Sequence, residues 1–277
     1  MLPKHKKDKL LSYGQKVIEI ECVNLQYLRE KLGESFADAV ELLYLCKGKV
    51  IVTGIGKSGI IGRKIAATLA STGTPSIFMH PGEAVHGDLG MVARNDIVIV
   101  ISNSGQTEEI IRILPSIKKI GARIISFTCS PLSCIGIQSD ITIATGEIQE
   151  ADSFGIIPSS STTCALVLGD ALSLTLMAIK GVQKEDFAFF HPGGNLGRRL
   201  MLKVKDVMQT GTKIPLVNLK SKLKDAVKEI NKKNLGLTLI VDENRKVKGI
   251  LTDGDIRRYL NKTTDISDTY TYECMTT

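Results

Sequence analysis

Ile97-Val98-Ile99-Val100-Ile101-Ser102-Asn103-Ser104-Gly105-Gln106-Thr107 passes from an unbroken β-branched run to a cluster of hydroxyls around a glycine, and Glu108-Glu109-Ile110 then open a helix. The apolar run is far below the roughly 20 residues needed to cross a bilayer. Its β-branched composition predicts a strand buried on both faces. Such a strand feeding a helix belongs to a parallel sheet covered on both sides. Outward from it, the same texture predicts strands at 49–53, 76–79, 123–128 and 141–144, with helices at 59–71, 107–120 and 161–180. Two helices precede the sheet. Leu11, Val17, Ile18, Cys22, Leu25 and Leu28 recur at near-helical spacing over 10–32, where an amphipathic helix is expected to pack on the domain or on a partner subunit, and 36–46 form the second. The fold class is therefore α/β with a five-stranded parallel sheet, and ligands of such sheets bind beyond the carboxyl ends of the strands.

A chain of 277 residues is long enough for two domains of unequal size. The formal net charge of +7 is carried by one segment: residues 203–262 hold 15 Lys+Arg against 7 Asp+Glu, and the remainder sums to −1. That segment has a lone Tyr, no Phe or Trp and no zinc-ligand spacing, so it lacks the parts for stacking on or reading nucleic acid and is expected to be a solvated basic face. Its pattern, with a helix at 222–232, strands at 238–241 and 247–252 and a helix from Asp253, makes a small βαββα-like α+β unit. Six cysteines without a CxxC pair and no signal-like opening point to reduced thiols, a cytoplasmic location and no membrane association.

Two loops carry chemistry. Gly54-Ile55-Gly56-Lys57-Ser58-Gly59 lets the backbone approach an anion at a helix N-terminus. It is no dinucleotide site, since the second strand ends at Met79-His80 without an acidic residue for a ribose, and no P-loop, since Ile51 stands where the first glycine belongs. Ser102, Ser104, Gly105 and Thr107 form a monophosphate cradle at the start of the next helix. An ordinary cap explains one of those hydroxyls, not three.

On these residues the sequence resembles the sugar isomerase (SIS) domain, whose phosphate loop reads S-x-S-G-x-T. More narrowly it resembles the arabinose-5-phosphate isomerase family, through Gly56-Lys57-Ser58-Gly59, His80-Pro81-Gly82-Glu83-Ala84, His86-Gly87-Asp88-Leu89-Gly90, Ser160-Ser161-Thr162-Thr163, Gly169-Asp170-Ala171-Leu172 and Phe190-His191-Pro192-Gly193-Gly194. Thr252-Asp253-Gly254-Asp255-Ile256-Arg257-Arg258 resembles the end of a CBS motif. The resemblance implies a flavodoxin-like SIS domain over 1–202, a single CBS motif over 203–262, and a tail or linker over 263–277 where a second CBS motif would start. It also implies interconversion of D-arabinose 5-phosphate and D-ribulose 5-phosphate towards Kdo and lipopolysaccharide, and a homo-oligomer, commonly a tetramer.

The family's catalytic set maps onto Lys57, Glu109, Glu150 and His191. Aldose–ketose isomerisation through an enediol needs a base at C1/C2 and a group that polarises the carbonyl oxygen. Glu150 is expected as that base, His191 as the group moving protons at oxygen, Lys57 as the oxyanion partner and Glu109 as the residue that orients Lys57. Substrate contacts are implied for Ser58, Gly73, Thr74, His80, His86, Ser102, Ser104, Gly105 and Thr107. His86 lies in an E-x-x-H-G context associated with ring opening. The chemistry requires no cofactor. An inhibitory or structural zinc is the one metal left open, with His80 its candidate ligand, and a nucleotide or pathway product is the candidate effector at Thr252, Asp253 and Asp255. Two features depart from the family pattern. Asp152 adds a carboxylate that either raises the pKa of Glu150 by like-charge repulsion or faces solvent, and no second CBS motif follows the first. The alternatives are an isomerase for another sugar phosphate, a non-catalytic sugar-phosphate sensor, and a transcription regulator, for which the residues before the sheet are too few to form a helix-turn-helix domain.

Overall fold

Alternation along each strand decides which layer every apolar residue joins. In the computed structural model, which describes residues 3–190, 203–263 and 266–277, the chain forms two compact units, Met1–Met201 and Leu202–Thr277. The first holds five parallel strands, β1 (Val50–Gly54), β2 (Ser76–Met79), β3 (Ile97–Ile101), β4 (Arg123–Thr128) and β5 (Ile141–Ala144), in the order β2-β1-β3-β4-β5. Val50, Val52, Ile97, Ile99, Ile125 and Phe127 point to one face. There they meet α1 (Lys4–Lys31), α2 (Glu34–Tyr44), α3 (Gly56–Ser71) and α7 (Ser160–Ile179) through Leu28, Leu43, Ile65, Leu69, Leu168 and Leu172. Ile51, Val98, Val100 and Ile124 point to the other face, against α5 (Glu108–Ile120) and its Ile110, Ile113, Leu114 and Ile117. Two short helices, α4 (Pro81–Ala84) and α6 (Cys134–Gln138), complete that second layer, and neither is marked by periodicity in the sequence.

α3 and α7 lie unusually close. A Cβ on Gly169 would fall 2.3 Å from Ile65 Cδ1, so only glycine admits the isoleucine. Among the described residues α7 is the one helix long and apolar enough to cross a membrane, and its Cys164, Leu168, Leu172 and Leu176 are buried in this core. After it, α8 (Lys184–Phe190) runs up to the position of His191, which lies outside the described residues.

Two helices begin three or more residues earlier than the sequence predicts. α3 starts at Gly56 rather than Gly59, because Gly56, at φ +58°, takes the turn from β1 in a single residue. Lys57 and Ser58 therefore stand in the first turn of a helix. α1 starts at Lys4 rather than Leu10.

The second unit has a three-stranded sheet, β6 (Leu216–Asn218) parallel to β7 (Leu237–Val241) and β7 antiparallel to β8 (Val247–Thr252). After α9 (Val204–Val207), α10 (Leu223–Lys233) and α11 (Asp253–Leu260) are its helices, and Leu223, Ala226, Ile240 and Leu251 are its core. Residues 266–277, read from the sequence as a polar tail, belong to this unit. Thr276 exchanges backbone hydrogen bonds with Ile250, both 2.8 Å, and Ile266, Cys274 and Met275 pack on the core.

Candidate active site

β1 and β3 are neighbours, but their following helices leave to opposite faces of the sheet, so their loops part and open a crevice at the carboxyl edge. Ser58, Ile101, Asn103, Phe127, Thr145, Ser161 and Ala165 line it, drawn from the ends of β3, β4 and β5 and the starts of α3 and α7.

The cradle after β3 is held from two sides. Ser102 Oγ lies 2.8 Å from Thr107 Oγ1 and accepts the Gly105 N–H at 3.1 Å. Thr107 therefore spends its hydroxyl on Ser102 and makes no side-chain cap to α5, whose first-turn N–H groups and dipole favour an anion. Ser104 Oγ, on an exposed residue, accepts the Gln106 N–H at 3.2 Å. Behind the loop, the Ile135 N–H donates to the Gly105 carbonyl at 3.0 Å and the Cys129 N–H to the Asn103 carbonyl at 2.8 Å. Gly105 has φ +62°, and a Cβ there would fall 2.1 Å from Ser133 Oγ.

Glu150 sits in an irregular strap between β5 and α7. Its Oε2 accepts the Ser159 N–H at 2.8 Å, the Ser161 N–H at 3.2 Å and the Ser159 hydroxyl at 3.2 Å, which places the carboxylate over the N-terminus of α7. Partial burial opposes the charge, but hydrogen bonds from the Ser161 hydroxyl, the two N–H groups and the Ser159 hydroxyl outweigh it and hold the carboxyl below the ordinary glutamate value. Asp152 does not raise it. That carboxylate is spent on its own turn, accepting the N–H groups of Phe154 at 2.8 Å, Ile156 at 3.1 Å and Ile157 at 2.8 Å.

The strap is braced by α1. The Asn24 carboxamide, buried, donates to the Gln149 carbonyl at 3.0 Å and accepts the Gln149 N–H at 3.2 Å. Lys57 and Glu109, both exposed, stand in the first turns of α3 and α5, and their side chains make no hydrogen bond or ion pair to the described residues. One end of the sheet thus presents a phosphate cradle, a cation and an ionised carboxylate, the parts of a proton-transfer site for a phosphorylated substrate.

The SIS domain family matches residues 42–174, and the CBS domain family matches 204–262. Arabinose 5-phosphate isomerase KdsD of Yersinia pestis is 47% identical over 95% of this chain and 80% of its own. That of Pseudomonas aeruginosa is 48% identical over 95% of this chain and 81% of its own. The chain belongs to the arabinose 5-phosphate isomerase family. A structure from Escherichia coli CFT073, solved in complex with arabinose 5-phosphate, superposes with a TM-score of 0.65 at 45% identity, covering 69% of this chain and all of that one.

Not every residue expected at the isomerase site gathers there within one chain. Gly73 and Thr74 lie in the turn between α3 and β2, at the amino edge of the sheet, because α3 returns the chain to that edge before β2 begins. Thr74 Oγ1 accepts from Lys180 Nζ at 2.9 Å, and a Cβ on Gly73 would meet Val182 and Phe190. Within this chain Gly73 and Thr74 therefore lie apart from the cradle. His80 ends β2 on the correct edge, but its Nδ1 accepts the Gly82 N–H at 3.1 Å and caps α4. Among the described residues no three His, Cys, Asp or Glu side chains gather as metal ligands, and His80 by itself does not make up a zinc site. His86 is exposed in the turn after α4. In the second unit Thr252 and Asp255 cap α11 reciprocally, and Asp255 also takes Arg258 at 2.6 Å and the Thr276 hydroxyl at 3.3 Å. Asp253 is exposed in the first turn of that helix.

Asn24, Ser159 and the Thr128–Ser133 backing of Gly105 are functional supports that sequence reasoning missed. Only the hydroxyl run opening α7 carried a signal for any of them, in the Glu150 partners Ser159 and Ser161.

Proposed function

We propose that the chain interconverts D-arabinose 5-phosphate and D-ribulose 5-phosphate at the carboxyl edge of its five-stranded sheet, supplying the route to Kdo. The observation that carries this reading is a carboxylate held ionised, Glu150, on the same edge as a helix-N-terminal phosphate cradle. Phosphate oxygens are held by Ser102, Ser104, Thr107 and the α5 N–H groups. Glu150 removes the proton from C2 of the open-chain aldose, and the electron pair moves through C1 to O1. Lys57 stabilises the resulting enediolate oxygen, with Glu109 orienting the ammonium. Glu150 returns the proton to C1 as the proton on O2 leaves, and His191 carries protons between oxygens, so nothing is gained or lost overall. This transfer needs no metal, so treatment with EDTA is expected to leave turnover unchanged. The working unit is a homotetramer in the cytoplasm, with a nucleotide or pathway product acting at Thr252, Asp253 and Asp255.

The test is a panel of aldose phosphates assayed for ketose phosphate, with Glu150→Gln as the variant. Arabinose 5-phosphate is converted by the wild type, and Glu150→Gln lowers kcat about 100-fold or more, the scale of a lost general base. Turnover of another sugar alone discards the substrate, and normal turnover by the variant discards the base.

A further inference from the structure

Asp152 stands two residues after Glu150, at the head of a loop whose next residues, 153–158, are all exposed. Phe154, Ile156 and Ile157 are 79%, 74% and 50% exposed, so packing does little to shape this loop. Hydrogen bonds shape it, and among the described residues they run to one residue. Asp152 Oδ1 accepts the Phe154 N–H, Oδ2 accepts those of Ile156 and Ile157, and the Asp152 carbonyl accepts that of Gly155 at 3.2 Å. Gly155, at φ +69°, takes the backbone reversal that this closure requires. The carboxylate thus clips the loop shut with both of its oxygens.

The clip delivers Ser159. Between Ile157 and Ser159 stands only Pro158, whose ring fixes φ and which has no N–H of its own to bond elsewhere. The direction set at Ile157 is therefore passed to Ser159 with little freedom. Ser159 closes the loop against its start. Its hydroxyl accepts the Ala151 N–H at 2.9 Å and donates to Glu150 Oε2 at 3.2 Å, and its own N–H donates to the same oxygen at 2.8 Å. Two of the groups that hold the Glu150 carboxylate, and the one that ties down its neighbour Ala151, belong to this single residue.

We propose that Asp152 is a positioning residue for the isomerisation: by clipping the loop 152–157 it seats Ser159 on Glu150 and fixes the direction in which that carboxylate meets the substrate. The proposal rests on Glu150 being the base. Asp152 takes no proton from the substrate and acts through the loop alone. The clip needs two accepting oxygens. Asparagine offers one, with an amide NH2 set against a backbone N–H, and alanine offers none.

The experiment is steady-state kinetics of the full chain with arabinose 5-phosphate. The variants are Asp152→Ala, Asp152→Asn, Ser159→Ala and the double variant Asp152→Ala with Ser159→Ala, with Glu150→Gln beside them. Asp152→Ala is expected to lower kcat about tenfold with KM within about twofold, the mark of a misdirected group rather than a lost substrate contact. Asp152→Asn should fall between it and the wild type. Because Asp152 works through Ser159, the two losses overlap, and the double variant should lose far less than their product. Asp152→Ala with wild-type kcat, beside a Glu150→Gln protein that has lost turnover, overturns this proposal and leaves the base standing. Glu150→Gln with normal turnover overturns the base and this proposal with it. Losses that multiply in the double variant overturn the route through Ser159, and a change in KM alone overturns the positioning role.

Discussion

Glu150 is stabilised as an anion by three hydrogen bonds that converge on one oxygen and by the N-terminus of α7. Its folded pKa lies below its unfolded value, so the stabilisation is fully present above the ordinary value of 4.5 and is lost as pH falls through the folded one. The urea midpoint of the wild type should therefore exceed that of Glu150→Gln at pH 7, and the gap should narrow below pH 4.5. A gap independent of pH would mean that the carboxylate's charge adds nothing. Gly105 makes the second residue-scale prediction. Alanine there needs both a φ of +62° and room for a Cβ 2.1 Å from Ser133 Oγ, at a cost of about 1–3 kcal/mol. With the cradle holding phosphate as proposed and the reacting carbons elsewhere, kinetics of Gly105→Ala should show KM for the sugar phosphate rising more than kcat falls. The hydroxyls of the cradle were legible in the sequence because they stand within six residues of one another. Thr128 and Ser133 were not, because each reads as an ordinary polar residue until β4 is laid beside β3.

Among the elements, α1 links the greatest sequence separation at the site. Asn24 reaches across 125 residues to bracket the Gln149 backbone, one residue before the proposed base. Asn24→Ala removes both bonds and leaves the strap free to shift, while Glu150 and the cradle keep their own side chains. It should lower kcat about tenfold, roughly 1.4 kcal/mol of transition-state stabilisation, with KM nearly unchanged. A change in KM alone would assign Asn24 to substrate binding instead. Periodicity identified α1 as amphipathic, yet it could not distinguish an asparagine on the apolar flank from a solvated one. That distinction exists only once β5 and its strap lie against the helix. The sheet was legible almost residue by residue, because strands apolar on both faces have few other places to go. The Gly73–Thr74 turn shows the limit: a motif match assigns residues to a site, and only the direction of α3 shows which edge of the sheet they occupy.

For the molecule as a whole, the shift in charge at about residue 203 marked a second unit, and that unit has a core of its own. Its closing segment was not visible in the sequence, because Ile266, Cys274 and Met275 are too few and too irregularly spaced to announce an element. Their work is nonetheless specific. The Thr271 hydroxyl donates to the Asn218 and Leu219 carbonyls at 3.1 and 2.9 Å, the Leu223 N–H donates to the Thr269 carbonyl at 2.8 Å, and Thr276 pairs the free edge of β8. Removing residues 266–277 from the full chain would take those hydroxyl bonds from the Asn218 and Leu219 carbonyls, leave that N–H and that edge without their partners and expose part of the Leu223–Leu251 core. Hydrogen exchange should then accelerate in β6 and β8 and in the first turn of α10, and remain unchanged in β1 and β3, which belong to the first unit. Isomerase turnover should stay within about twofold, since Lys57, Glu109 and Glu150 belong to the first unit. Equal loss of protection in both sheets would show that the two cores unfold as one, and the second unit would then support the catalytic sheet directly.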